Sequence, residues 1–232
     1  MASIRLGAGI TGISGSIGGT TFGHNRFGAY MRARTTPVNP NTFRQSRMRS
    51  FVADVSAAWG GALTVFQRAA WEVYAASLVS TNRLGEQIKL TGFNHYIRSN
   101  TFRLQNVLTR IDDAPTILTL PGEDTVFLAV VDEANQEISV TFDETRTWVD
   151  QDNGGMGIYM SKPQGVGTTF ITGPWKKAGT IVGDSTTPPT GPQTFTAPFP
   201  VAVGQVIAVR ARITEEDGRL SDLFRDTNTV TA

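Results

Sequence analysis

The chain has 232 residues, 40% of them hydrophobic, an ordinary content for a protein that folds in water around its own core. It has no cysteine, which excludes disulfides and thiolate metal sites, and only two histidines, which leaves little material for general-base or transition-metal chemistry. The net charge of +1 hides a division: residues 1 to 114 carry 13 Lys and Arg against five Asp and Glu (net +8), and residues 115 to 232 carry eight against 15 (net −7).

That polarity favours head-to-tail contacts between copies, or different partners for a basic and an acidic end. Two adjoining domains with differently solvated faces are the plainer reading. No apolar run of about 20 residues occurs, so a protein made and used in solution is expected, without a membrane span or Sec export.

The first 50 residues hold seven arginines and no carboxylate, and eight glycines precede Ala29. A segment this basic and glycine-rich cannot bury a core of its own. It is expected to complete its folding against nucleic acid, a neighbouring subunit or the rest of the chain. Within it, Thr20–Gly23 and Ala29–Arg34 around the turn His24–Gly28 predict a hairpin. Its second strand places Tyr30, Arg32 and Arg34 on one face and Ala29, Met31 and Ala33 on the other. The prolines of Thr36–Asn41 end regular structure there.

Three helices follow. The first starts at Asn41 or Thr42 and runs to about Trp59, with Phe43, Met48, Phe51, Val52, Val55 and Trp59 at helical spacing, and Gly60–Gly61 ends it. Thr64 with Gln67 three residues later has the form of a capping box, opening a helix to about Leu78 whose stripe is Phe66, Ala69, Ala70, Val73 and Tyr74. Thr91 caps a third helix to about Asn106, with Phe93, Tyr96, Ile97 and Leu104 inward. A bundle of this size is marginal alone and is expected to lean on a partner.

After Pro115 the period changes to two. Strands are expected at Thr116–Leu120, Val126–Val131, Glu137–Phe142, Gly157–Ser161, Lys177–Val182, Thr194–Ala197, Gln205–Ile213 and Asn228–Thr231, separated by Gly, Pro and Asn-rich turns. Short strands in that number predict an immunoglobulin-like or fibronectin-III-like β-sandwich. The expected layout is α+β and multi-domain: an extended arm with a hairpin (1–40), a three-helix unit (41–114) and a sandwich (115–232).

Signs of chemistry are sparse. His24 falls in a turn and His95 on a helix, neither with catalytic partners in view, and the Gly-x-Ser-x-Gly pattern of a nucleophile elbow is absent. Gly7-x-Gly9-x-x-Gly12 matches a dinucleotide fingerprint only as letters, because no strand of adequate length precedes it, no helix follows, and the first carboxylate is Asp54. Among the acidic clusters only Asp150–Gly154 is a candidate calcium loop, and solvated turn charge is the default there. No cofactor and no enzymatic activity are expected. Arg26, Arg32, Arg34, Arg44, Arg47 and Arg49, with Tyr30 and Phe27, are the material for a nucleic-acid surface. Arginine also pairs with carboxylates, which the second half supplies, so a protein partner is the favoured reading. Trp148, Tyr159 and Trp175 are either sandwich core or a glycan-binding surface.

Taken in order, Gly15–Phe22, Arg26–Arg34, Pro37–Thr42 with Gln45, Ala58–Trp59, Leu63–Thr64, Gln67–Trp71 and Thr91–Asn94 resemble uncharacterised structural proteins of tailed bacteriophages and prophages. The resemblance spans about the first 105 residues. It implies a virion role, in the head or its decoration, with neck or tail as alternatives, and no catalytic residues. The expectation is therefore a non-enzymatic, multicopy component located in the virion. It docks on capsid or other virion subunits through Gly15, Gly18, Gly19, Phe22, Arg26, Tyr30, Arg32, Arg34, Asn39 and Arg47, while the sandwich projects. The alternatives are a nucleic-acid-binding protein using the arginine-rich arm and a host-surface or glycan-binding module.

Overall fold

The computed structural model describes residues 2–4, 7, 9–10, 12–34, 38–82 and 84–231; Arg5 and the break expected at Thr36–Pro37 lie outside them. The architecture is mixed, with three helices and several antiparallel sheets.

Strands β1 (Ala2–Ser3), β2 (Gly15–Ile17), β3 (Thr20–Asn25) and β4 (Gly28–Ala33) form a four-stranded antiparallel sheet in the order β1-β4-β3-β2. The expected hairpin is there, with a tighter turn: only Arg26 and Phe27 separate Asn25 from Gly28, and the Asn25 side chain accepts from the Phe27 amide at 2.9 Å. Gly18 and Gly19 join β2 to β3 with φ of 55° and 82°, which a two-residue hairpin turn demands at both positions.

Helix α1 (Phe43–Gly61) and helix α2 (Val65–Ser77) open on complete capping boxes; the one at Thr64 with Gln67 is the one expected, and Thr42 with Gln45 forms a second. Thr91 caps α3 (Gly92–Gln105) through the Asn94 amide. The short pair β5 (Ser80–Thr81) and β6 (Gln87–Ile88) lies between α2 and α3. The helical core is aromatic: Trp71 meets Tyr96 edge-on at 5.5 Å, and Trp59 packs on Tyr96 at 5.4 Å and Phe93 at 5.6 Å.

Two inward faces differ from expectation. On α2 the buried residues are Trp71, Tyr74 and Ala75, while Phe66 is 87% and Val73 61% exposed. The helix carries two apolar stripes, and the one with the large aromatics faces the bundle. On α1 only Val55 and Ala58 are buried, leaving Phe43 and Val52 exposed, because the first half of the helix extends past the bundle.

Seven of the eight strands expected after Pro115 form, in two sheets, the last of them displaced to Phe224–Thr229 from the expected Asn228–Thr231. Strands β7 (Leu128–Asp132), β8 (Glu137–Thr141) and β11 (Gln193–Thr196) pair as β11-β8-β7. Strands β9 (Gly155–Ser161), β10 (Trp175–Val182), β12 (Val206–Thr214) and β13 (Phe224–Thr229) pair as β10-β9-β12-β13. Both sheets contribute to one core, Val131, Ile138 and Val140 from the first meeting Met156, Ile158, Ile207 and Val209 from the second, with fully buried Trp148 among them. Thr116–Leu120 is not a strand: it runs along the helices, where the Leu118 carbonyl accepts from Ser77 and Leu120 packs on the helical core.

Helix α3 joins the two units. It lies on the outer face of the larger sheet, in space left by the missing side chain of Gly157, where a Cβ would sit 2.8 Å from Asn106 Oδ1 and 2.9 Å from Phe102 Cζ. The Ser99 hydroxyl donates to the Gly218 carbonyl at 2.6 Å. Arg103, fully buried, donates to the Thr109 and Glu215 carbonyls and to the Thr214 hydroxyl. This position buries Ser99 and Arg103, while Asn100 is buried by its bonds to the Ile111 amide and carbonyl and His95 by packing against Tyr74.

Candidate functional site

Two surfaces stand out, the N-terminal sheet and a cleft between α1 and the larger β-sheet. No described residue before Val55 is buried. The N-terminal sheet is nevertheless two-faced. Opposed pairs place Phe22 beside Met31, Gly15 beside Phe22 and Ile17 beside Thr20 on one face, with Ile17 75% exposed. The other face carries Tyr30, lying over Gly23 so closely that a Cβ there would meet its ring at 2.7 Å, and Arg32 opposite Thr21. One side is thus apolar and uncovered, the other basic and polar.

The structure gathers most of the expected docking residues on this sheet. Gly15, Gly18 and Gly19 all have positive φ and open space around their Cβ positions, so glycine serves the backbone bend there. Arg26 occupies the β3–β4 turn, and Arg34 ends β4 with its amide on the Gly19 carbonyl. Asn39 stands apart, accepting from the Asn41 amide and from Arg49 at 2.8 Å ahead of the α1 cap. Arg47 belongs to the cleft.

That cleft, about 600 Å³, was not anticipated. One wall is the start of α1, with Arg44, Arg47 and Phe51. The other is the outer face of the larger sheet, with Tyr159, Lys177 and Arg210 in register across β9, β10 and β12, and Arg212 one step along. Trp175 completes it, the Arg210 guanidinium stacking over its ring at 4.3 Å and lying 5.6 Å from the Tyr159 ring. Arg47 lies over Phe51 at 5.2 Å. Five cations thus line a space that contains no carboxylate among the described residues. Asp222, which favours the charge on Arg212, stands outside the cleft, 3.9 Å from Arg98.

Burial works against these charges. It pushes Arg212 down to about 10 and lowers Arg210. Burial, with Arg47 opposite, pushes the Lys177 ammonium down to about 8, although its Nζ donates to the Gln105 carbonyl at 2.9 Å. The Nε atoms of Arg210 and Arg212 are buried and meet no acceptor among the described residues. Charge concentrated this way, with no carboxylate among the lining residues, is suited to receiving an anion.

The remaining candidates are tied into the fold. Trp148 is core, and Tyr159 and Trp175 line the cleft. In the acidic loop, Asp152 accepts from the Ser185 amide, Asn153 Oδ1 from Thr109, and Gln151 Oε1 from the Glu216 amide. Among the described residues no three acidic or histidine side chains converge as metal ligands, and no helix is long and apolar enough to cross a membrane. His24 is exposed on β3 and His95 is buried against Tyr74. Of the cleft's lining, the sequence singled out Arg44 and Arg47 as basic candidates and Tyr159 and Trp175 as core or binding surface; Lys177, Arg210 and Arg212 come from period-two strand positions that any solvated sheet face would show.

The fold and these surfaces define a mixed α+β protein with an apolar, uncovered face on its N-terminal sheet and a cationic cleft. Compared with known proteins, the chain matches no family model and no curated sequence.

Proposed function

We propose that this chain is a non-enzymatic structural component of a tailed-phage virion, docking on capsid or neighbouring subunits through its N-terminal sheet. Its two-sheet unit, read as an immunoglobulin-like or fibronectin-III-like module, projects outward. The observation that carries this reading is the arm: a folded sheet with one apolar face and no buried residue. Ile17, Phe22 and Met31 on that face would contribute roughly 3 to 5 kcal/mol on being covered, at about 25 cal/mol per Å². The strands are already paired, so docking avoids much of the ordering cost of about 1 to 2 kcal/mol per residue that a disordered arm would carry. The phage-like motif order supports the same role, and many identical copies would multiply a modest contact.

Deleting residues 1–36 tests it. The truncated chain is expected to unfold at the same temperature as the full chain and to be missing from particles assembled in its presence. Normal incorporation of a folded, truncated chain refutes the docking role.

A further inference from the structure

The cleft between α1 and the larger sheet has no part in that docking role and is independent of it. Its two walls carry the same sign of charge. Arg44 and Arg47 on α1 face Lys177, Arg210 and Arg212 on the sheet, and the gap between them is unfilled by side chains. Such an arrangement is repulsive when empty and becomes attractive only with an anion between the walls. A multivalent anion fits best, because a single charge cannot offset five cations on two walls. Arginine forks bind planar or tetrahedral oxyanions in pairs of hydrogen bonds.

Three classes of polyanion would satisfy the charge. An acidic loop from a second copy would meet the charge but would bring no flat ring or base to the aromatic side chains of the cleft. Duplex nucleic acid is disfavoured by shape, since it is read by protein elements that protrude into its grooves, and this surface is concave. Single strands bring phosphates and exposed base faces together. The cleft offers the matching mixture, half-buried rings of Phe51, Tyr159 and Trp175 set among the cations. Arg225, opposite Arg210 on β13, extends the positive row beyond the mouth, giving a strand a path to continue along.

We propose that this cleft is a binding site for single-stranded nucleic acid, with phosphates held between the arginines of α1 and the cations of the outer sheet face.

The test is fluorescence anisotropy of the full-length protein with a labelled oligothymidylate, titrated at several salt concentrations. Five neutralised phosphates give a slope of log K against log salt of about −3.5 for a single strand, a loss of about a hundredfold between roughly 50 and 200 mM salt. Arg44 and Arg47 are exposed, so R44Q/R47Q retains the fold, and it is expected to reduce the slope to about −2. R32Q/R34Q, on the arm, is expected to leave binding unchanged. The proposal is overturned if the wild type does not bind at low salt, or if R32Q/R34Q rather than R44Q/R47Q removes binding. It is equally overturned if polyglutamate displaces the strand at equal charge concentration, or if the annealed duplex binds more tightly. None of these results bears on particle incorporation, so the two readings fail separately.

Discussion

Replacing Arg103 with methionine tests the claim that α3 makes one cooperative body of the helices and the β-sheets. The guanidinium is fully buried and bonds Thr109 O at 2.8 Å, Glu215 O at 2.9 Å and Thr214 Oγ1 at 3.2 Å, with no carboxylate in direct contact. Hydrogen bonds from a charged donor contribute about 1.5 to 3 kcal/mol each, so three are worth roughly 5 to 9 kcal/mol. Against this stands the burial of the charge, which pushes the guanidinium down to about 10 and corresponds to about 3 kcal/mol. The balance is a net loss of about 2 to 6 kcal/mol in R103M, a large share of the roughly 5 to 15 kcal/mol by which a domain is stable. Urea unfolding followed by both tryptophan fluorescence and far-ultraviolet circular dichroism measures it. A lower midpoint with unchanged slope is expected, the two signals coinciding in the wild type. A midpoint that stays or rises would mean that desolvation of the buried cation outweighs its bonds, as happens in some buried ionic sites. Separate transitions in the wild type would refute the single cooperative body.

Two further outcomes follow from the same joint. G157V drives a side chain into Asn106 and Phe102, so it is expected to cost about 2 kcal/mol or more and to speed hydrogen exchange along residues 92–105; unchanged exchange there would refute the close approach of α3 to β9. Burial lowers the pKa of His95, with Arg98 adding to the effect and Glu72 opposing it, while Tyr74 packs against the ring. The unfolded chain therefore takes up that proton first: the neutral imidazole's contribution is complete above pH about 6.5 and declines as the pH falls through it. Melting temperature against pH should fall more steeply for wild type than for H95Q across that window, and parallel curves would exclude His95 as the cause.

Much of the local structure was legible. Thr64 with Gln67 starts a helix because a capping box satisfies backbone donors within four residues, whatever surrounds them. The β3–β4 hairpin was legible for a similar local reason, two alternating runs around a glycine-containing turn. The inward face of α2 was not legible. Phe66, Ala69, Ala70 and Val73 form as regular a stripe as Trp71, Tyr74, Ala75 and Leu78, and period alone does not choose between them. Thr116–Leu120 alternates like a strand but has no neighbour to pair with, and an unpaired strand has nothing to hold it extended.

The sequence by itself determined the caps, the turns, seven β-strands, the division of charge and an N-terminal segment with no core of its own. Those properties depend on neighbours within a few residues or on composition, and both survive without knowledge of the fold. Only the tertiary structure decided that α3 lies against the outer sheet face, that Arg103 is buried there, and that Arg44 and Arg47 face Lys177, Arg210 and Arg212. Arg103 and Glu215, and the two walls of the cleft, are separated by more than a hundred positions in the chain, and a missing side chain at Gly157 lets α3 reach the sheet. The arginines of the opening segment could be counted from the start; that two of them form half of a cleft depended on which surface α3 was able to approach.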